Sequence, residues 1–498
     1  MRVMLCYDIK NMKSQKSILK IITVGFVLLF LQVSKAQEVW SLEKCIAHAQ
    51  SNSRSVAQSK NAVRDAEFVK KGNKYQALPT VNGNSTYAFN FGRSVNPSTY
   101  QYDNTSTNYN SWGLNMGVPI FNAAKSGGRI SDYAKQSDSD LKAAQADLQQ
   151  TQNTIGLQVA QAYLQILLND EQLANAKRRA EQDLTTLDKI EKQIKAGSLP
   201  ATSRLDAQVT VAKSEQQTVI AENNVALGYL NLRNLLELPT DMVFNIEKPI
   251  LEVPDQMPII GNLGSVYTEA LVAQPNIKAA EMRIKSAEFG LKISQSALLP
   301  SLNGFGSLAS NYSNAIKDFT KGTVTSTDVK QTVVINNVST DVIFKQAGII
   351  NSPTTPYFDQ FSNNFGQSVG LRLSIPILNG FSQQIAVQRQ KLVIDNQTIA
   401  FDKAKLQLRS DVQTSLTNLI AAKKQYAVAV KVFSAQKLAY EALEKKLAIG
   451  ASNTFEISQS KSTLDTAERD VTVAKFDYLF KQKIVEFYEG KQLTLGNK

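Results

Sequence analysis

The chain carries few side chains able to do chemistry. It has one histidine, His48, and two cysteines, Cys6 and Cys45. A nitrogen–sulfur metal centre needs about three or four such ligands, and a Ser–His or Cys–His hydrolase needs an imidazole beside its nucleophile. His48 falls in a helical pattern, as a surface or packing residue. No nucleophile–base set or phosphate-cradling loop is present, since Gly127-Gly128 stands alone in the polar start of a helix. The chain therefore reads as no enzyme, with no metal and no cofactor. The net charge of +12 is partly that of residues 1–36, which hold Arg2, Lys10, Lys13, Lys16, Lys20 and Lys35 against Asp8. The remaining excess is spread along helical stretches without a Lys/Arg block or interleaved aromatics, so no nucleic-acid partner is expected.

Lys13, Lys16 and Lys20 precede an apolar run from Ile21 to Val33, followed by Ser34-Lys35-Ala36. That order fits a cleaved signal peptide over 1–36, with Met12 as an alternative start; the run is short for a membrane anchor. No cysteine follows it closely enough to carry a lipid. Once Cys6 is removed, no intrachain disulfide can form.

The mature chain is organised by apolar residues seven apart. From about Phe121 to Lys195 there is one proline-free stretch with Val159, Ile166, Leu173, Ala180, Leu187 and Ile194 in a row, preceded by Leu141, Leu148, Ile155 and Ala162. A strict seven-residue repeat predicts a helix that supercoils left-handedly against a neighbour. Roughly 70 helical residues would span on the order of 100 Å. A helical stretch from Ser41 to about Ala77 precedes it, closed by Leu78-Pro79, and another follows from Ala201 to Leu238. Between Leu78 and the long helix the period changes to two. Aromatics fill odd positions up to Phe91, a polar loop covers Arg93–Asn110, and Trp112, Leu114, Met116, Val118 and Ile120 alternate with small or polar residues.

The plan then repeats. Residues 37–238 form the first repeat, 239–262 a proline-broken linker, 263–490 the second repeat and 491–498 a tail. Leu299-Pro300 repeats Leu78-Pro79, and Ser374-Ile-Pro-Ile-Leu-Asn379 echoes Gly117-Val-Pro-Ile-Phe-Asn122. A polar loop is expected from about Asn311 to Asn363, then a strand with Val369, Leu371, Leu373 and Ile375 on one face. Ile385, Leu392, Ile399 and Leu406 restart the heptads, and Leu447-Ala-Ile-Gly450 mirrors Ile194-Lys-Ala-Gly197. In each repeat the two outer helices, roughly 35 residues each, match the middle helix end to end. The greasy strand faces, Trp112, Leu114, Met116 and Val118 with Val369, Leu371, Leu373 and Ile375, have no helix broad enough to cover them and are expected to face lipid. Open sheet edges cannot meet hydrocarbon, so four strands per chain would join those of two more chains in a barrel of about twelve. A soluble β-sandwich cap on a coiled coil is the alternative.

In this order of elements the chain resembles the outer membrane efflux protein family, the TolC family. The resemblance covers nearly the whole mature chain and rests on the paired Leu-Pro and Pro-Ile motifs. It rests also on the helix turns Lys195-Ala-Gly-Ser-Leu-Pro-Ala-Thr-Ser-Arg-Leu-Asp-Ala-Gln208 and Ala448-Ile-Gly-Ala-Ser-Asn-Thr-Phe-Glu-Ile-Ser-Gln459. It implies a mainly α fold with a transmembrane β part: a duplicated α-helical coiled-coil barrel in the periplasm joined to an outer-membrane β-barrel completed by homotrimerisation. The partners it implies are outer-membrane lipid, a periplasmic adaptor (a membrane fusion protein) and an inner-membrane pump.

The function it implies is passive export of small molecules, such as drugs or cations, or of proteins, in a tripartite efflux or type I secretion system. Gly197 and Gly450 match the family's turn glycines, which suit a helix end of positive φ. Lys195, Leu199, Pro200, Ala451 and Phe455 at the turn tips are the expected adaptor contacts. Glu456 matches an acidic aperture position whose first-repeat equivalent is Ser203, and Asp206 stands at the next such position, one turn on, where the second repeat has Gln459. Both carboxylates could equally serve only the dipole of a helix start. Ser452 and Leu447 replace the arginine and tyrosine of well-known relatives. The rival readings are a non-conducting coiled-coil surface or structural protein, and the pump's adaptor, whose single hairpin flanked by small β domains this chain lacks.

Overall fold

The computed structural model describes residues 39–95, 102–121, 129–242, 244–249, 262–350, 352–449, 451–491 and 493–494. The expected signal segment, Gly450 and most of the inter-repeat linker lie outside them. In chain order the elements are β1 (Val39–Trp40), α1 (Leu42–Asn52), α2 (Arg54–Tyr75), β2 (Thr80–Val95), β3 (Tyr102–Phe121), α3 (Arg129–Lys195), α4 (Thr202–Leu235) and β4 (Asn245–Ile246). The second repeat contains α5 (Leu263–Ala273), α6 (Pro275–Ser296), β5 (Ser301–Ser313), β6 (Thr323–Ile335), β7 (Val338–Ile350), α7 (Tyr357–Asn363), β8 (Gly366–Ser374), α8 (Ser382–Ala448) and α9 (Thr454–Tyr488).

The duplication extends to element length. Both long helices have 67 residues, the helices before the strands have 11 and 22 residues in each repeat, and the last helices have 34 and 35. Each helix expected to run unbroken to its Leu-Pro is split in two. In the second repeat Gln274 is extended because Pro275 excludes the helical conformation from the residue before it. At the corresponding break of the first repeat no proline is present. Instead Ser53 is extended, and the new helix start is capped from a distance: Arg54 N donates to Glu237 Oε1 (2.9 Å), and Arg54 Nε pairs with Glu237 Oε2 (3.2 Å). A carboxylate at a helix N-terminus is favoured by the helix dipole.

The chain divides into two compact units, one of residues 39–62, 145–279 and 402–494 and the other of 63–144 and 280–401. In the first unit, Trp40, Cys45, Val56, Val159, Tyr163, Ile166, Leu232 and Phe244 form a buried cluster. The heptad residues Val159 and Ile166 thus pack into a core. β1 pairs in parallel with β4, and the Tyr163 hydroxyl donates to Glu247 O (2.6 Å), which ties the described part of the linker to the first repeat.

The second unit is built on one antiparallel sheet of strand order β2-β3-β5-β8, so the strands of both repeats join. β2 and β3 have 16 and 20 residues, and they extend through most of the segment expected as a loop between Arg93 and Asn110. β5 has weak alternation in sequence but lies in the interior of the sheet. Its glycines explain this: a Cβ on Gly304 would fall 2.9 Å from Val118 Cγ1, and Gly306 abuts Met116. Side chains from the neighbouring strand fill the slots that β5 leaves empty.

The loop expected over 311–363 is corrected more strongly. It contains a separate antiparallel hairpin of β6 and β7, 13 residues each, paired from Thr323–Ile350 to Ile335–Val338. Its two-residue turn, Asn336-Asn337, has φ values of 51° and 62°. Positive φ at both central residues is the type I′ geometry that matches strand twist, and asparagine tolerates it. The polar composition hid a ribbon whose turn signal is Ile-Asn-Asn-Val. Replacing Asn337 with valine should cost about 1–2 kcal/mol. Hydrogen exchange of the 323–350 amides should then rise about tenfold, whereas Asn337→Gly should leave it unchanged or slower.

Candidate functional site

The sheet register sorts the strand side chains onto two faces. Met116 pairs with Val81 and Gly306, Gly306 pairs with Val369, and Leu302 pairs with Leu373. One face therefore collects Trp112, Leu114, Met116 and Val118 with Val369, Leu371 and Leu373; Ile375 follows the end of β8. Leu371 is 67% exposed and Val369 is 88% exposed in the isolated chain. On β3 the apolar row runs from Trp112 to Ile120, about the length of a bilayer-crossing strand. Trp112 marks its far end: its indole N–H donates to the Tyr357 hydroxyl (3.0 Å) of α7, beside Phe361. An aromatic with a satisfied polar edge suits a membrane–water boundary.

The opposite face is polar. Asn82, Asn84, Asn115, Ser307 and Ser368 lie on it, with Asn115 Nδ2 donating to Asn84 Oδ1 (3.0 Å) and the Ser307 and Ser368 hydroxyls 2.8 Å apart. One sheet thus has an apolar face and a polar face.

The helix turns lie in the other unit. α3 ends at Lys195, and Gly197 has φ 76°. Gly197 N donates to Ile194 O (2.9 Å) and Ser198 N to Gln193 O (3.0 Å), the paired bonds of a Schellman closure. Leu199 is half-buried and Pro200 is exposed. At the second turn Ala451 N donates to Lys446 O (2.8 Å), the same five-residue reach back. Gly450 itself is outside the described residues. Phe455 is 74% exposed, an apolar ring in water at a turn tip.

The two candidate carboxylates differ. Glu456 is the third residue of α9 and belongs to its cap. Its N–H donates to Asn453 Oδ1 (2.9 Å), and its carboxylate accepts from Ser452 Oγ (2.6 Å) and from Asn453 Nδ2 (3.4 Å). Asn453 is thus the N-cap of α9, and the Glu456 carboxylate is held by the side chains of the cap residues. Asp206 is exposed and has no side-chain partner among the described residues, where no hydrogen bond joins it to Glu456.

An ion-pair ladder between α3 and α9 was not singled out in the sequence. Asp183 pairs with Lys461, at 5% and 15% side-chain exposure. Arg179 Nε lies 2.8 Å from Asp465 Oδ2, and Arg178 Nη2 lies 2.6 Å from Glu468 Oε1. Burial holds the Asp465 carboxyl above its usual range, partly offset by Arg179 and Lys461. The available signal was one-turn spacing of opposite charges, Arg179/Asp183 on one helix and Lys461/Asp465 on the other.

The profile of the outer membrane efflux protein family matches residues 45–237 and 266–482, most of both repeats. The chain belongs to that family. Membership places it in the outer membrane, among transport proteins rather than enzymes. The pyoverdine export outer membrane protein OpmQ of Pseudomonas aeruginosa is 27% identical over 193 residues, which cover 39% of this chain and 40% of OpmQ. The alignment thus spans well under half of that relative. The fold is that of the outer membrane protein VceC of Vibrio cholerae (TM-score 0.69, 13% identity, 90% of this chain and 96% of that one). It is also that of the Campylobacter jejuni CmeC outer membrane channel (TM-score 0.69, 15% identity, 92% and 90%).

The ladder gives a signed pH dependence. Lys461→Met leaves the buried Asp183 without its cation and the half-buried Asp465 with Arg179 alone, a loss of roughly 3 kcal/mol. Burial holds the Asp465 carboxyl above its usual range, so it takes up its proton early as the pH falls and its share of the penalty fades. Thermal melts of the purified protein should show a deficit in Tm for the variant that is larger at neutral than at acid pH.

Proposed function

We propose that three copies of this family member form a passive conduit through the outer membrane, serving a tripartite efflux or type I secretion system. The carrying observation is the two-faced sheet with β2 and β8 at its edges. Four strands are too few to surround a passage. Joining β8 of each copy to β2 of the next would give twelve, with the apolar face toward lipid and the Asn/Ser face toward the lumen. A neighbouring copy would also cover Ile385, Leu392, Ile399 and Leu406, seven apart on α8 and each more than half exposed in one chain.

The turn tips, with Lys195, Leu199, Pro200, Ala451 and Phe455, would receive the hairpins of a periplasmic adaptor, and an inner-membrane pump would supply the energy. Opening would untwist helix pairs at these turns, a shift between two packed states. The exported class, small molecules or proteins, follows the family; pyoverdine is OpmQ's cargo by name. Asp206 and Glu456 are the aperture candidates, with Glu456 serving the cap as well.

Planar-bilayer recording tests this reading, with wild type beside Asp206→Asn combined with Glu456→Gln, which removes charge and keeps the cap. The expected result is a small, cation-preferring conductance that rises in the double variant. Unchanged conductance would keep the conduit and remove the aperture assignment. A folded trimer with no conductance would overturn the conduit.

A further inference from the structure

The polar face of the sheet carries one conspicuous charge. Along β5, β8 and the β2–β3 pairs from Thr80–Gly117 to Gly92–Thr105, Arg372 is the sole ionic residue on that face. Among the described residues its guanidinium has no carboxylate partner. It lies instead beside an aromatic ring, with Cζ 5.4 Å from the centre of Phe305. Phe305 is held there by two glycines: its register partners are Gly117 on β3 and Gly370 on β8. A Cβ on Gly370 would fall 2.8 Å from Phe305 Cζ, so the ring lies across that glycine toward the strand that bears Arg372.

Next to this pair is a cavity of about 340 Å³, lined also by Leu78, Thr80, Pro119 and Asn303. It is at the helix-proximal end of the sheet, since Thr80 opens β2 and Arg372 lies near the end of β8. Its chemistry is specific. A guanidinium offers a planar fork of N–H donors matched to a carboxylate. Phe305, Leu78 and Pro119 offer apolar surface, and Thr80 and Asn303 offer neutral hydrogen-bonding groups. An unpaired cation against an aromatic wall favours a ligand that has both a negative head and an apolar body.

We propose that this niche is a binding site for small organic anions with an apolar body, aromatic carboxylates being the simplest class. Arg372 holds the carboxylate and Phe305 the ring. Its place as a station for anionic cargo rests on the reading that this face lines the passage; the binding itself does not. A dedicated anion site in the barrel complements the carboxylates at the turns, because it gives negatively charged cargo a favourable contact beyond a cation-preferring entrance.

The probe is 4-fluorobenzoate, added to the full-length protein in lipid nanodiscs and followed by the width of its fluorine resonance. Wild type should broaden the line, and unlabelled benzoate should reverse the broadening where neutral benzyl alcohol does not. Arg372→Gln should weaken binding about tenfold, with Arg372→Lys intermediate. Arg93→Gln, on the opposite face, should match wild type. Equal broadening by wild type and Arg372→Gln, or none by wild type, would overturn the site. The same preparations are recorded in planar bilayers: a conducting channel without broadening rejects the niche alone, and broadening without conductance rejects the conduit and keeps the niche.

Discussion

Backbone N–H and C=O groups cannot be left unpaired in hydrocarbon, and that requirement organises everything else in this chain. The four-stranded sheet has one apolar face and two edge strands, β2 and β8. Such a sheet is unsuited to standing alone in a bilayer. Closing it with copies of itself satisfies the edges, hides the polar face and leaves Trp112, Leu114, Met116, Val369 and Leu371 outward. The internal duplication would then have a physical use: each repeat contributes two strands of the sheet and one long helix with three shorter ones of matched length, so a single chain would supply two similar staves.

Much of this was legible in the sequence because periodicity is a strong signal over long elements. The heptads marked α3 and α8, and the Leu-Pro pairs marked where helix gives way to strand. The alternation at Trp112–Ile120 and Val369–Leu373 marked residues that the register puts on one face of the sheet. Local geometry was less legible. Ser53 breaks a helix with no proline to announce it, because Glu237, far away in sequence, caps the new start. β5 alternates poorly because Val118 and Met116 fill the spaces over its glycines. The β6–β7 hairpin was hidden by its Thr-, Ser- and Asn-rich composition, although Asn336-Asn337 is a sound type I′ signal.

The functional side chains divide in the same way. Gly197 was readable, since only a helix end of positive φ needs glycine there, and it closes a Schellman motif. Glu456 was read as an aperture candidate, and its described contacts are with the cap residues Ser452 and Asn453; the two roles are compatible, because a cap leaves charge at the tip. The α3–α9 ladder was missed because its members are more than 270 residues apart in the chain, as in the pair Lys461 and Asp183. Periodicity along one helix does not reveal which other helix it meets. Arg372 was passed over for a related reason: its significance lies in its place beside Phe305 on a face that only the register defines.

The most direct test of the account is disulfide formation between sheet edges. Cysteines would be placed singly at Asn82 or Asn84 on β2 and at Ser368 or Ser374 on β8 of the same chain, and the protein oxidised in outer membranes. Edge-to-edge closure among three copies predicts covalent dimers and trimers on denaturing gels for at least one pairing, reversed by reductant. Only intrachain bridges, or monomer throughout with the protein correctly inserted, would contradict it.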